Sequence, residues 1–221
     1  MNQMVKIYLV RHAEAQGNVE EFFQGHIDTD VSEKGRKQLE CLAERFKDIP
    51  IEEVYTSPLR RARATAEAVN KYHRLPLTVD PHIIEIYAGD WEGVRWSELP
   101  EKFPHEYELW SKQINKFKAP HGESTRQVYD RMKLAMRNIA AENNGKTIAV
   151  ISHGMAIKAY LNYADGREWE NYADPGWSDN TAVSLIEYDD ELMPHIIFKN
   201  DSSHLTVSYT HLRAHETDQY L

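Results

Sequence analysis

Val5-Lys6-Ile7-Tyr8-Leu9-Val10 runs straight into Arg11-His12, and far downstream Thr147-Ile148-Ala149-Val150-Ile151 runs into Ser152-His153-Gly154. Both runs are β-branched and apolar, the composition of strands covered on both faces. Open α/β sheets bind ligands just beyond the carboxyl ends of such strands. Two strands that each end on a histidine would bring two imidazoles and the Arg11 guanidinium to one sheet edge. That is a compact site for an anion.

Working outward, Ser32 is placed to cap a helix whose Leu39, Leu42, Ala43 and Phe46 recur at helical spacing, with Pro50 ending it. Glu53-Val54-Tyr55-Thr56 reads as a short strand. Ser57-Pro58 then opens a second helix with Ala62, Ala66 and Val69 inward, leaving Arg61 and Arg63 as solvated charges. A third helix carries Val128, Met132, Ala135, Met136 and Ile139 on one face and closes at Asn144-Gly145. A helix over residues 154–163 follows the second central strand, and late strands are expected at 182–188 and near 195–198. Strands alternating with helices predict an α/β three-layer sandwich, a mostly parallel central sheet with helices on both faces. Residues 86–121 differ. They carry Tyr87, Trp91, Trp96, Phe103, Tyr107, Trp110 and Phe117 without a clear strand. They are expected to form a helical excursion over the carboxyl edge, most rings packing onto the body and some lining the pocket.

Composition narrows the function classes. At 221 residues, one domain (residues 1–206) is favoured over two, and no run of eighteen apolar residues suggests a membrane span. The N-terminus lacks a signal-peptide pattern, and the one cysteine, Cys41, can form no internal disulfide, which suits a cytoplasmic protein. Cys41 itself reads as an ordinary helix residue. A formal charge of −9 argues against nucleic acid as a partner but not against a small phosphorylated ligand in a locally basic pocket. Nothing in the pattern indicates an oligomeric state. The tail over 207–221 contains Ser208-Tyr209-Thr210-His211-Leu212-Arg213-Ala214-His215-Glu216-Thr217, which resembles a peptide translated from sequencing-adapter DNA and is set apart from the fold. Within it His211 and His215 are four apart, but Glu216 follows them instead of lying between, so the zincin order is missing.

Further motifs accompany the two strand-end histidines. Glu14 and Asn18 follow the first, then Phe23-Gln24-Gly25-His26-Ile27-Asp28 and Ser32-Glu33-Lys34-Gly35. Thr56-Ser57-Pro58-Leu59-Arg60-Arg61-Ala62 with Thr65-Ala66, Glu85-Ile86-Tyr87-Ala88-Gly89-Asp90-Trp91-Glu92-Gly93 and Gly122-Glu123-Ser124 complete the set. In this order, over residues 4–200, the chain resembles the histidine phosphatase superfamily of phosphoglycerate-mutase-like fold, in its phosphatase branch. Ala13 stands where that family most often has glycine, a change that matters only if the position needs a left-handed backbone.

The resemblance implies His12 as the nucleophile that becomes a phosphohistidine, and Glu85 as the acid that protonates the leaving alkoxide and later accepts a proton from water. It implies Arg11 and Arg60 as guanidinium forks on the phosphate oxygens, with His153 a further donor when protonated. Asn18, Gln24, Gly25 and Gly154 would line the substrate site. Positive charge around His12 disfavours its imidazolium and leaves a neutral ring nitrogen to attack phosphorus. Neither a metal nor another cofactor is implied, because the arginines supply the electrostatic role. The expected activity is hydrolysis of a small phosphorylated metabolite. A mutase of the same fold, or a non-catalytic phospho-ligand binder, are the competing readings. Gly89-Asp90-Trp91-Glu92-Gly93 and the short excursion favour the phosphatase, and the joint presence of His12, Glu85 and His153 disfavours the binder.

Overall fold

The computed structural model describes residues 4–205. Six strands form one sheet in the order β3-β2-β4-β1-β5-β6. They are β1 (Val5–Arg11), β2 (Glu53–Thr56), β3 (Leu77–Val79), β4 (Thr147–Ser152), β5 (Val183–Tyr188) and β6 (Pro194–Asp201). The first four in that spatial order run parallel, and β5 is antiparallel to both β1 and β6. Helices are α1 (Gln16–Val19), α2 (Glu33–Phe46), α3 (Arg60–Val69), α4 (Leu99–Lys102), α5 (Pro104–Lys112), α6 (Thr125–Glu142) and α7 (Gly154–Ala164).

Alternation along the central strands explains why the helices divide between two faces. Val5, Ile7 and Leu9 of β1, with Ile148 and Val150 of β4, join the core cluster that contains Val128, Met132, Met136 and Ile139 of α6. Val10, Ala149 and Ile151 point the other way, into a cluster with Leu42 and Phe46 of α2 and Ala62, Ala66 and Val69 of α3. A period of two on a strand sorts successive side chains to opposite faces, so a continuous apolar run needs a helix layer on each side. The three-layer expectation is met.

The Ser32 cap behaves as read: its Oγ accepts from the backbone N–H of Gly35 at 3.0 Å. Ser124, not singled out as a cap, also caps α6, with Gln127 answering from the third helical position. Cys41 is a half-buried residue of α2. Two details differ. β3 was not anticipated, being a three-residue edge strand too short to show periodicity. The second helix starts at Arg60, with Leu59 as its N-cap, not at Ser57-Pro58. Residues 86–121 do form a helical excursion, with Trp91 and Phe117 fully buried in the core. The tail over 207–221, with its His211 and His215, lies outside the described residues, among which no helix is long and apolar enough to cross a membrane.

Candidate active site

Strand pairing brings the two histidines together. In the parallel register Arg11 faces Ser152, so His12 and His153 leave the sheet side by side, with ring centroids 5.1 Å apart. The backbone N–H of His12 donates to Ser152 O at 3.0 Å, and the Asn180 side chain donates to His12 O at 3.0 Å. His12 Nδ1 lies 2.7 Å from Ala13 O. A carbonyl can only accept, so Nδ1 carries the proton and Nε2 keeps its lone pair. Burial, with the Arg61 and Arg11 cations, holds the His12 imidazolium well below its usual range. Ala13 is not in a left-handed conformation, so the alanine costs the loop nothing; its N–H donates to Thr65 Oγ1.

His153 was expected to act as a donor only when protonated. Burial, with the Arg61 cation, pushes its pKa well below the usual value and disfavours the imidazolium. Its Nε2 is 2.6 Å from Ser57 Oγ, and its Nδ1 has no hydrogen-bonding partner.

The second arginine that lines the cleft is Arg61, not Arg60. The Arg60 side chain is 58% exposed and pairs with Asp28 and Asp30 at the surface. Arg61 is 1% exposed, lines the cleft beside His12, and donates to Gly25 O at 2.8 Å and Ile27 O at 2.7 Å. Burial draws its guanidinium down to about 10, which leaves it charged at neutral pH. Periodicity contained the signal. On α3, Arg61 shares the buried stripe with Thr65 and Val69, at intervals of four, whereas Arg60 sits one residue off that stripe.

Glu85 is brought in by a chain of supports. Its carboxylate accepts from the backbone N–H groups of Ile86, Met155 and Ala156, so it sits on the N-terminus of α7. Arg131 holds the segment before it, donating to His82 O, Ile84 O and Glu85 O while pairing with Glu123 at 2.9 Å. Gly122-Glu123-Ser124 thus acts through Arg131, a partner that nothing in its spacing announced. Gly89-Asp90-Trp91-Glu92-Gly93 is also a scaffold. Gly89 has φ +52°, and a Cβ there would meet Pro120 O at 2.1 Å. Glu92 accepts from His26 N and Ala88 N, stapling the two loops that flank the cleft. Gly25 (φ +50°) lies against that carboxylate, with room for no side chain.

A cleft of about 400 Å³ opens at this point. Arg11, His12, Asn18, Gln24, Gly25, Arg61, Glu85 and Gly154 all line it. The Asn18 amide is oriented by accepting from Ala15 N, and Gln24 by accepting from Thr29 Oγ1. Trp96 and Trp110 of the excursion, with Trp177 from the far side, form the outer wall. Trp177 was not anticipated. The excursion therefore splits as expected, with some rings in the core and others in the pocket.

Neutral buried histidines make a pH prediction. Native His12 and His153 bind protons only well below the unfolded value near 6.5, and His204, drawn down to about 4 by burial and Arg45, behaves alike. Above about pH 6.5 neither state is protonated and stability is full. As pH falls below that value the unfolded chain takes up protons that the native state refuses, with a slope of up to about 1.4 kcal/mol per pH unit for each histidine. Urea midpoints should therefore drop between pH 7.5 and 5.5, and more gently in His12→Ala. An identical slope in the variant would show that His12 is not held neutral.

The chain is similar to known proteins. The model of the histidine phosphatase superfamily (branch 1) matches residues 7–201. Phosphoserine phosphatase 1 of Hydrogenobacter thermophilus is 32% identical over 85% of this chain and 88% of its own. A probable phosphoglycerate mutase, GpmB of Escherichia fergusonii, is 29% identical over 84% of this chain and 86% of its own. Among solved structures, YhfR of Bacillus stearothermophilus superposes with a TM-score of 0.85 at 29% identity, covering 90% of this chain and 98% of that one. With its two strand-end histidines, buried arginines and phosphoglycerate-mutase-like sheet, this chain belongs to the histidine phosphatase superfamily, branch 1.

Proposed function

We propose that the protein is a metal-independent phosphomonoesterase that hydrolyses a small phosphorylated metabolite through a phosphohistidine at His12. One observation carries the reading. Of the five buried side-chain nitrogens without a partner among the described residues, three are Arg11 Nε, Arg61 Nε and His153 Nδ1, gathered around His12. Buried donors left unpaired are costly unless a ligand completes them. An anion with several oxygens, set between two guanidinium groups, does so, and the adjoining N-terminus of α7 adds its positive end.

The chemistry follows from the geometry. Arg11 and Arg61 hold the phosphate oxygens, and the Asn18 amide adds a neutral donor. His12 Nε2, unprotonated because Nδ1–H is committed to Ala13 O, attacks phosphorus in line. The N–P bond forms as the P–O bond to the leaving group breaks, and the Glu85 carboxyl delivers a proton to the departing oxygen. Water then attacks the phosphohistidine, Glu85 takes its proton, and the N–P bond breaks to return the lone pair to His12. The guanidinium groups neutralise the developing charge throughout. The lone Cys41 supports a cytoplasmic setting.

A panel of phosphorylated metabolites, read by released phosphate, tests this. Turnover should survive prolonged chelation unchanged and be inhibited by vanadate, which mimics the five-coordinate phosphorus of the transition state. Activity lost on chelation and restored by a divalent ion would overturn metal independence. Phosphoryl transfer between positions of one metabolite, without release, would mark a mutase.

A further inference from the structure

We propose that the enzyme takes phosphate monoesters whose organic part carries a planar aromatic ring, and that Trp177 is the residue that selects for it. The inference rests on the phosphatase reading and names the substrate class of the same site. Beyond its phosphate end, the cleft is walled by Phe22, Phe23, Trp96, Trp110, Met155 and Trp177. Its charged lining is confined to Arg11, Arg61 and Glu85, which the reaction itself engages. An ammonium or carboxylate on the organic part would therefore be desolvated against this wall without a counter-charge, an unfavourable arrangement.

The rings form a continuous shelf. Phe23 and Trp96 centroids are 4.9 Å apart, Trp96 and Trp110 6.1 Å, and Trp110 and Trp177 5.7 Å. Their planes are tilted by 41°, 42° and 32° from one another. Trp96 and Trp177 are 39% and 46% exposed there, an apolar surface left open among the described residues. Trp177 reaches the reacting end, since a Cβ on Gly154 would lie 3.6 Å from both its ring and Arg11 Nε.

Trp177 is also held in place without substrate. The Lys158 ammonium lies 4.4 Å from its ring centroid, a cation–π distance, and pairs with Asp174, which in turn accepts from Gly176 N. Lys158 is 1% exposed and committed to these partners. A second cleft of about 480 Å³ shares the same three indoles and is lined beyond them by Lys112, Lys158 and Asp174, leaving space for polar substituents on a ring stacked at the shelf. Indole faces bind flat π-systems beyond the gain from area alone.

The test must separate ring recognition from leaving-group reactivity. Benzyl phosphate, cyclohexylmethyl phosphate and phosphoserine all release alkoxides, so kcat/KM compares their organic parts. Benzyl phosphate should exceed phosphoserine by about tenfold or more and the cyclohexyl ester by several-fold. Trp177→Leu, a surface change that keeps an apolar side chain but removes the flat face, should bring both ratios towards one. Equal rates for benzyl phosphate and phosphoserine, or ratios that survive Trp177→Leu, would overturn the proposal. Calorimetry of benzylphosphonate against methylphosphonate on the wild-type protein reads the shelf without turnover, and should favour the benzyl compound by a similar factor. Hydrolysis with no ring preference sinks this inference and leaves the phosphatase reading intact. Preferential benzylphosphonate binding with no hydrolysis of any ester does the reverse.

Discussion

His12→Ala should lose phosphate release by about 10⁴-fold or more, the scale seen when a covalent nucleophile is deleted, while the fold is retained. Retention follows from what the side chain does. Its one internal hydrogen bond is from Nδ1 to the neighbouring Ala13 O, and it belongs to neither core cluster. The backbone bonds that join this loop to β4 and to Asn180 do not depend on the ring. Rapid acid-free quenching of the wild type during turnover should trap phosphate in an acid-labile, base-stable linkage, as a phosphoramidate requires, and the variant should trap none. Thermal midpoints of the two proteins should lie within a few degrees at pH 7.5, which excludes unfolding as the cause. A variant with near-normal turnover, or trapped phosphate in a linkage stable to acid, would end the covalent mechanism.

Legibility in the sequence varied with the kind of signal. Central strands such as Val5–Arg11 and Thr147–Ser152 were plain because burial on both faces leaves a run with no polar alternation to confuse. The long helix over Thr125–Glu142 was equally plain from its stripe and its Asn144-Gly145 stop. His12, His153 and Glu85 were singled out through motif order; His12 and Glu85 line the cleft, and His153 is buried behind it against the His12 ring. Arg61 was misassigned because a charged residue beside an identical charged residue invites the assumption that the inward face is wholly apolar. The helix instead buries Arg61 and Thr65 alongside Ala62 and Ala66 at its first turns, and Val69 at its end. Partners that act across the chain, such as Arg131 on the Glu85 segment or Ser57 on His153, had no local pattern at all. Such contacts are created by topology. Trp177 belongs to the same class, since it lies outside every regular element and meets Trp110 only when the excursion folds over.

Arg61→Ala should lower kcat/KM by about 10²–10³-fold or more, and Arg60→Ala should leave it within about threefold. The contrast follows from environment, since the residues are chemically identical neighbours. Arg61 is preorganised by two backbone carbonyls, is shielded from water, and still carries its charge at neutral pH, so its field on a phosphate is little screened. Arg60 spends its charge on Asp28 and Asp30 at the surface, where such pairs contribute at most about 1 kcal/mol. Arg61→Ala also frees Gly25 O and Ile27 O, so part of its loss could come from a loosened loop. Arg61→Lys separates the two effects by keeping the cation while losing the planar fork. Recovery of a substantial part of the rate by lysine would assign the loss to charge on the phosphate; no recovery would assign it to the fork that binds oxygens and shapes the loop. Inorganic phosphate binding, read by calorimetry, should weaken in step with kcat/KM for Arg61→Ala and stay unchanged for Arg60→Ala. Comparable losses at the two positions would mean that the exposed arginine also reaches the anion, and the placement of α3 against the cleft would have to be abandoned.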